Sequence, residues 1–180
     1  MKTVFAAVAA LGLFTAGAAE AKITILTCEP EWTALAKELG GDRIDAASAT
    51  TGLQDPHQIQ ARPSLIARMR AADMVVCTGA ELEVGWLPVL LRQGANAKVQ
   101  PGTPGYFEAA RVVGLKEAPQ ALDRSLGDVH AAGNPHIQTD PRNMLPVAAA
   151  LAEQFARIDP AGAETFKANR WWCSTRAGST

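Results

Sequence analysis

Short apolar runs alternate with helix-like spacing over the first half of the chain. Three runs rich in β-branched or small apolar residues are typical of strands: residues 22–28, 43–47 and 73–78. Three stretches with apolar residues at helical spacing lie between and after them: residues 31–39, 63–70 and 81–91. Strands and helices that alternate through short connections predict an α/β fold, with a parallel sheet covered by helices on both faces.

The second half of the chain has a less regular pattern. Residues 98–126 are rich in Gly and Pro and predict no defined element. Residues 143–169 have helical spacing that Asp159-Pro160 interrupts, which predicts one kinked helix or two short ones. Residues 170–180 show no periodicity, and we expect an atypical tail or a frayed C-terminus there.

The N-terminus has the pattern of an export signal. Lys2 precedes an uncharged apolar run at residues 4–14, and Ala19-Glu20-Ala21 fits a small-x-small cleavage site. The run is too short to span a bilayer comfortably, and no later stretch is long and apolar enough to do so. We therefore expect cleavage near Ala21 and an exported mature chain that does not insert into the membrane.

The charge of the chain is nearly balanced. The formal net charge is −1, and the Lys and Arg residues are spread along the sequence. This distribution gives no electrostatic reason to expect nucleic acid or an anionic membrane as a partner.

Export changes how the cysteines are interpreted, because thiols oxidise outside the cytosol. Cys28 and Cys77 each end a predicted strand. If the two strands are parallel neighbours, their ends come within disulfide reach. The alternative is a pair of buried free thiols, which behave as small hydrophobic groups.

Proline-containing loops carry all three histidines of the chain. His57 follows Asp55-Pro56, while His130 and His136 lie in residues 127–141, which contain two Gly and two Pro and cannot form a regular helix. Neutral imidazole is the commonest protein ligand for metals such as zinc, and a carboxylate on its second nitrogen fixes the tautomer. The local carboxylates that could do so are Asp55, Asp128 and Asp140. The alternative is that the imidazoles only cap turns or bond to the backbone.

Other candidate chemistry is weaker. Glu81 and Glu83 follow the third predicted strand, but two acids at the start of a helix are explained by the helix dipole. The sequence contains no G-x-S-x-G, P-loop or H-E-x-x-H motif, so no catalytic class is indicated. Two alternatives remain: an exported zinc-dependent enzyme in which His57, His130 and His136 form a three-histidine site, and a non-metal-binding α/β domain.

Several short motifs occur in a fixed order along residues 22–169. They comprise residues 38–43, Asp55-Pro56-His57, residues 62–64 with 71–76, residues 79–83 with 86–87, and Asn134-Pro135-His136 with residues 140–143. In this order they resemble the zinc- and manganese-binding solute receptors of bacterial ABC importers, of the cluster A-I type.

The resemblance implies a periplasmic, non-enzymatic receptor that delivers its ion to a membrane permease. In this family two α/β lobes are joined by a long helix, and the metal lies in the cleft between them. The motifs assign His57 and His136 as first-lobe ligands, with His130 as an extra or alternative one. Ligands that are all nitrogen favour zinc, with manganese as the alternative.

The resemblance also divides the chain. We expect a signal peptide at residues 1–21, a metal-binding lobe at residues 22–142, a connecting helix at residues 143–169 and the atypical tail at residues 170–180. In the family a second lobe supplies a third His or Glu and an Asp, and we find no counterpart for it. The expectation is therefore a truncated, impaired copy that binds metal weakly.

Overall fold

The computed structural model describes the backbone of residues 21–119 and 129–177, and side chains up to Trp171. Residues 1–20 of the expected signal peptide (residues 1–21) therefore lie outside the described part. No helix in the described part is long and apolar enough to cross a membrane.

A four-stranded sheet forms the centre of the fold. Its strands are β1 (Ile23–Thr27), β2 (Ile44–Ser48), β3 (Met74–Cys77) and β4 (Tyr106–Glu108), arranged in the order β2-β1-β3-β4. All three pairings are parallel, with Ile25 opposite both Ala46 and Met74. The predicted α/β fold class is confirmed. β4 lies where the sequence predicted no element, because a three-residue strand is too short to show a pattern.

In the described ranges, five α-helices pack around the sheet. They are α1 (Pro30–Gly40), α2 (Pro63–Ala71), α3 (Leu87–Gly94), α4 (Met144–Ile158) and α5 (Ala163–Ala177). The first three have Pro in the first turn, where the missing N–H is tolerated.

α3 begins six residues later than the pattern at residues 81–91 predicted. Gly79, Ala80 and Glu81 have φ values of 79°, 51° and 69°, which a right-handed helix cannot contain. Residues 78–86 therefore form a turn at the end of β3, which we name the β3 turn.

Two apolar clusters fill the two sides of the sheet. Strand residues alternate between them, so Met74 and Val76 face one side while Val75 and Cys77 face the other. The first cluster contains side chains from α1, α4 and α5, including Trp32, Phe155 and Phe166. The second contains side chains from α2 and α3.

The corner between α4 and α5 is a break of the kind predicted at Asp159-Pro160. Asp159 accepts a hydrogen bond from the backbone N–H of Gly162 (3.2 Å) and bonds to the Arg43 guanidinium. α5 then continues through residues that we expected to form a separate tail, since no Gly or Pro interrupts residues 163–177. Asn169 fastens α5 to α1 by donating to the carbonyl of Leu39 (2.9 Å).

Candidate metal centre

The loop that carries His57 lies at the carboxyl edge of the sheet, after β2. Its backbone is fixed to the β3 turn by the Trp86 indole, whose N–H donates to the carbonyl of Pro56 (2.7 Å). Trp86 is buried in the second apolar cluster, so this anchor is rigid. In open parallel sheets this edge is where ligands bind.

Asp55 orients the His57 ring. Its Oδ1 atom accepts the His57 backbone N–H (2.9 Å) and lies 2.8 Å from Nδ1 of the ring. The pKa of Asp55 is lowered, chiefly because the carboxylate accepts that backbone N–H. A proton on Nδ1 leaves the lone pair of Nε2 free to bind a cation.

His130 lies directly opposite His57. Their Nε2 atoms are 3.2 Å apart, and the two rings stack with centroids 5.2 Å apart at an interplanar angle of 28°. The backbone next to His130 is held from the β3 turn, where Glu81 accepts the N–H of Ala131 (3.1 Å).

His136 approaches His57 from a third direction. The two ring centroids are 5.6 Å apart at 66°. Asn134 orients this segment, because it accepts the His136 backbone N–H (2.9 Å) and donates its own to the carbonyl of Lys116 (2.8 Å). Gly133 has a φ of 115°, and a Cβ there would lie 2.6 Å from the Lys116 carbonyl, so only glycine fits.

The structure thus brings all three predicted histidines to one place. The ring nitrogens of the three histidines do not form a compact set of metal ligands in this structure. In the described ranges, such a compact group, with its ligand atoms all within 4.8 Å of one another, is formed by Cys28, Cys77 and Glu83. Binding one ion with three imidazoles therefore requires small side-chain rotations, which half-buried loop histidines can make.

The three candidate supporting carboxylates have different outcomes. Asp55 contacts the His57 ring, as described above. Asp140 instead binds Arg142 (2.7 Å) and Lys116 (3.0 Å), and these cations hold its pKa well below the usual range. Its carboxylate therefore stabilises the loop through these two ion pairs and does not orient a histidine ring. Asp128 lies outside the described residues.

Cys28 and Cys77 are joined by a disulfide across the carboxyl ends of β1 and β3. Of the two alternatives, buried free thiols or a bridge, the structure has the bridge. Their sulfur atoms are consequently not thiolates and offer no ligand beside Glu83.

The burial of two glutamates was not predicted from the sequence. Glu83 is 2% exposed and accepts backbone N–H groups from Thr78 and Gly79, so the helix-dipole explanation for it is wrong. Glu29 is 3% exposed and lies nearby, and its pKa is raised to about 9, first by burial and then by Glu83. Glu29 follows the first predicted strand, and nothing in the local sequence predicts that its side chain is buried.

The profile of the family described as "ZnuA: Zinc-uptake complex component A periplasmic" matches residues 25–171. The chain belongs to this family. The resemblance to metal-binding solute receptors is therefore confirmed.

Relatives in the ZnuA family are named for several metals. The chain is 24% identical over 170 residues to the iron ABC transporter substrate-binding lipoprotein MtsA of Streptococcus pyogenes, covering 93% of this chain and 52% of MtsA. It is 26% identical over 138 residues to the manganese ABC transporter substrate-binding lipoprotein PsaA of Streptococcus mitis, covering 75% and 41%. The chain spans about half the length of these relatives.

A solved structure has the same fold. The zinc-bound 138–173 deletion mutant of ZnuA superimposes with a TM-score of 0.72 at 23% identity, over 87% of this chain and 55% of that one. Proteins of the ZnuA family are substrate-binding components of ABC transporters and not enzymes. Membership speaks against the three-histidine enzyme that the motifs left open.

Proposed function

We propose that the chain is the first metal-binding lobe of a periplasmic substrate-binding protein for a zinc importer. His57 and His136 bind the ion, His130 is an additional ligand, and the receptor delivers its ion to an ABC permease. The observation that carries the proposal is the convergence of three imidazoles at the carboxyl edge, with the His57 ring oriented by Asp55. An Asp–His pair is the usual way to set a metal-binding imidazole.

Zinc is the ion that the donors favour. Imidazole nitrogen suits zinc, whereas manganese prefers carboxylate and carbonyl oxygen. The names of the relatives include iron and manganese as well, so the preference for zinc rests on the donor atoms of this chain.

Periplasmic location and delivery to a permease are supported by two observations. The family description is periplasmic, and the relatives are ABC transporter substrate-binding proteins. The N-terminal pattern of Lys2, the apolar run at residues 4–14 and a cleavage motif ending at Ala21 is consistent with export.

The proposal is tested by calorimetric titration of the purified chain with zinc, alongside manganese. We expect zinc to bind more tightly than manganese, and His57→Ala and His136→Ala each to abolish or severely weaken zinc binding. Gln58→Ala is the matched control, because Gln58 is exposed in the same loop. A loss in His130→Ala as severe as in His136→Ala would assign His130 as a full ligand.

Two results would contradict the proposal. One is the absence of zinc binding by the unaltered chain. The other is zinc binding that survives both His57→Ala and His136→Ala, which would move the metal to a different site.

A further inference from the structure

The β3 turn contacts both of the loops that bring His57 and His130 together. From one end of the turn, the Trp86 indole donates to Pro56, the residue before His57. From the middle of the turn, the Glu81 carboxylate accepts the N–H of Ala131, the residue after His130. The two histidines are 73 positions apart in sequence, so tertiary contacts such as these two bring them together in space.

The backbone of the β3 turn is intrinsically unfavourable. Three consecutive residues, Gly79, Ala80 and Glu81, have positive φ. Glycine adopts this conformation freely, but Ala and Glu do so only when the surroundings stabilise it. Contacts outside these three residues must therefore determine the conformation.

Glu83 supplies that stabilisation from within the turn. Its Oε1 accepts the N–H of Thr78 (2.7 Å) and its Oε2 accepts the N–H of Gly79 (3.0 Å). Both oxygens of this buried carboxylate are thus used on the two peptide groups that lead into the positive-φ residues. Hydrogen bonds to an ionised, buried acceptor are among the strongest available in a protein.

A second buried acid lies behind Glu83. Glu29 accepts the Thr78 hydroxyl (3.0 Å), which in turn accepts the Trp32 indole N–H (2.8 Å). Burial raises the pKa of both glutamates, and it brings that of Glu29 to about 9. Because two backbone N–H groups stabilise the ionised form of Glu83, we assign the proton of the pair to Glu29.

We propose that Glu83 is a positioning residue for the metal centre. Its carboxylate fixes the β3 turn, and the turn holds the His57 and His130 loops at the separation that a shared ion requires. The inference rests on the proposed function above, and it concerns a residue that does not touch the ion.

The first test compares two isosteric variants in the full chain. Glu83→Gln keeps one acceptor oxygen but places an NH₂ group against a backbone N–H, so we expect zinc affinity to fall about 10- to 100-fold. Glu29→Gln resembles a protonated glutamate, and we expect zinc affinity close to that of the unaltered chain. An equal loss in both variants would overturn the assignment to the Glu83 carboxylate.

A second control distinguishes a positioning role of Glu83 from a loss of zinc affinity that follows only from lower stability of the fold. Leu39 is buried at the far end of α1, away from the carboxyl edge, so Leu39→Ala lowers stability without touching the turn. Zinc affinity in Glu83→Gln no lower than in Leu39→Ala would overturn the proposal. If Glu83→Gln does not fold, Glu81→Ala tests the same support at the His130 loop, and unchanged zinc affinity there would also overturn it.

A metal-free measurement keeps this inference distinct from the proposed function. Hydrogen exchange of the Thr78, Gly79 and Ala131 amides, read by NMR without metal, should accelerate in Glu83→Gln but not in Glu29→Gln. This pattern in a chain that binds no zinc would support the positioning role while the function fails. Unchanged exchange at all three amides would overturn the positioning role whatever the zinc result.

Discussion

At the scale of single residues, His57 is the best-oriented of the proposed ligands. Its ring is set by Asp55, its neighbour Pro56 is held by Trp86, and its Nε2 atom lies 3.2 Å from Nε2 of His130. Each of these contacts is made by groups of the chain itself. Binding therefore costs less ordering of side chains than it would in a flexible loop.

Removal of the Asp55 carboxylate should weaken zinc binding without unfolding the chain. We expect Asp55→Ala to lower zinc affinity about 10- to 100-fold, because the His57 ring loses the group that fixes its tautomer. Competition against a chromophoric chelator measures the change, with Gln58→Ala as control. Equal zinc affinity in Asp55→Ala and Gln58→Ala would show that Asp55 does not contribute to metal binding.

Glu29 should make the chain less stable as the pH rises. Its pKa in the folded protein is about 9 against 4.5 for an unperturbed group, so the folded state binds more protons than the unfolded state between these values. The free energy of unfolding should therefore decline from about pH 4.5 to about pH 9. Urea unfolding across this range should show a shallower decline in Glu29→Gln. Parallel profiles for the two proteins would contradict the assignment.

At the scale of elements, α4 and α5 both pack against α1 and with it cover one face of the sheet. Phe155 and Phe166 meet edge to face with centroids 5.5 Å apart, and both are fully buried. The corner between the helices is held by Arg43, whose Nε and Nη2 atoms donate to the two Asp159 oxygens at 2.7 and 3.1 Å. This ion pair joins residues 116 positions apart.

Loss of the Arg43–Asp159 pair should destabilise the corner modestly. The side chains are 23% and 19% exposed, so screening limits the expected cost of Arg43→Met to roughly 1 kcal/mol. Arg43 lowers the pKa of Asp159, so this contribution is present above about pH 3.8 and is lost as the pH falls below it. Chemical unfolding at neutral and acid pH measures both effects. A difference that persists unchanged in acid would mean that Arg43 acts through packing instead.

The elements differ in how far the sequence determines them. β1, β3 and α1 were predicted because apolar spacing reports burial directly. β4 and the start of α3 were not, because three residues carry no period and because the positive φ of Ala80 and Glu81 depends on tertiary contacts. The three histidines could be predicted as candidate ligands from the local sequence of their loops. The contacts of Glu83 and Asp140 depend on residues distant in sequence, so they could be recognised only in the structure.

At the scale of the whole molecule, one covalent link ties the first half of the sheet together. The Cys28–Cys77 disulfide connects the ends of β1 and β3 across 49 positions and encloses α1, β2 and α2 within its loop. A cross-link of this kind restricts the unfolded chain more than it changes the folded one.

Replacement of both cysteines should lower stability more than the surface changes above. We expect Cys28→Ala with Cys77→Ala to cost about 2–4 kcal/mol, because the unfolded chain regains the entropy of an open loop. Thermal unfolding measures this loss. A chelator is added because, in reduced protein, the two thiols and Glu83 offer three donor atoms within 4.8 Å that could bind a metal ion and raise the stability. Reduced, unaltered protein should behave like the double variant. A reduced protein as stable as the oxidised one would exclude a stabilising bridge.

The clasp of α5 on α1 also determines when the chain can finish folding. Asn169 contacts the carbonyl of Leu39 across 130 positions, and Phe166 completes the apolar cluster that begins at Ile23. Contacts so distant in sequence form late, after the intervening chain has been made and brought back. Until then the part of the first apolar cluster that α5 covers stays exposed to water, which makes the partly synthesised chain more prone to aggregation.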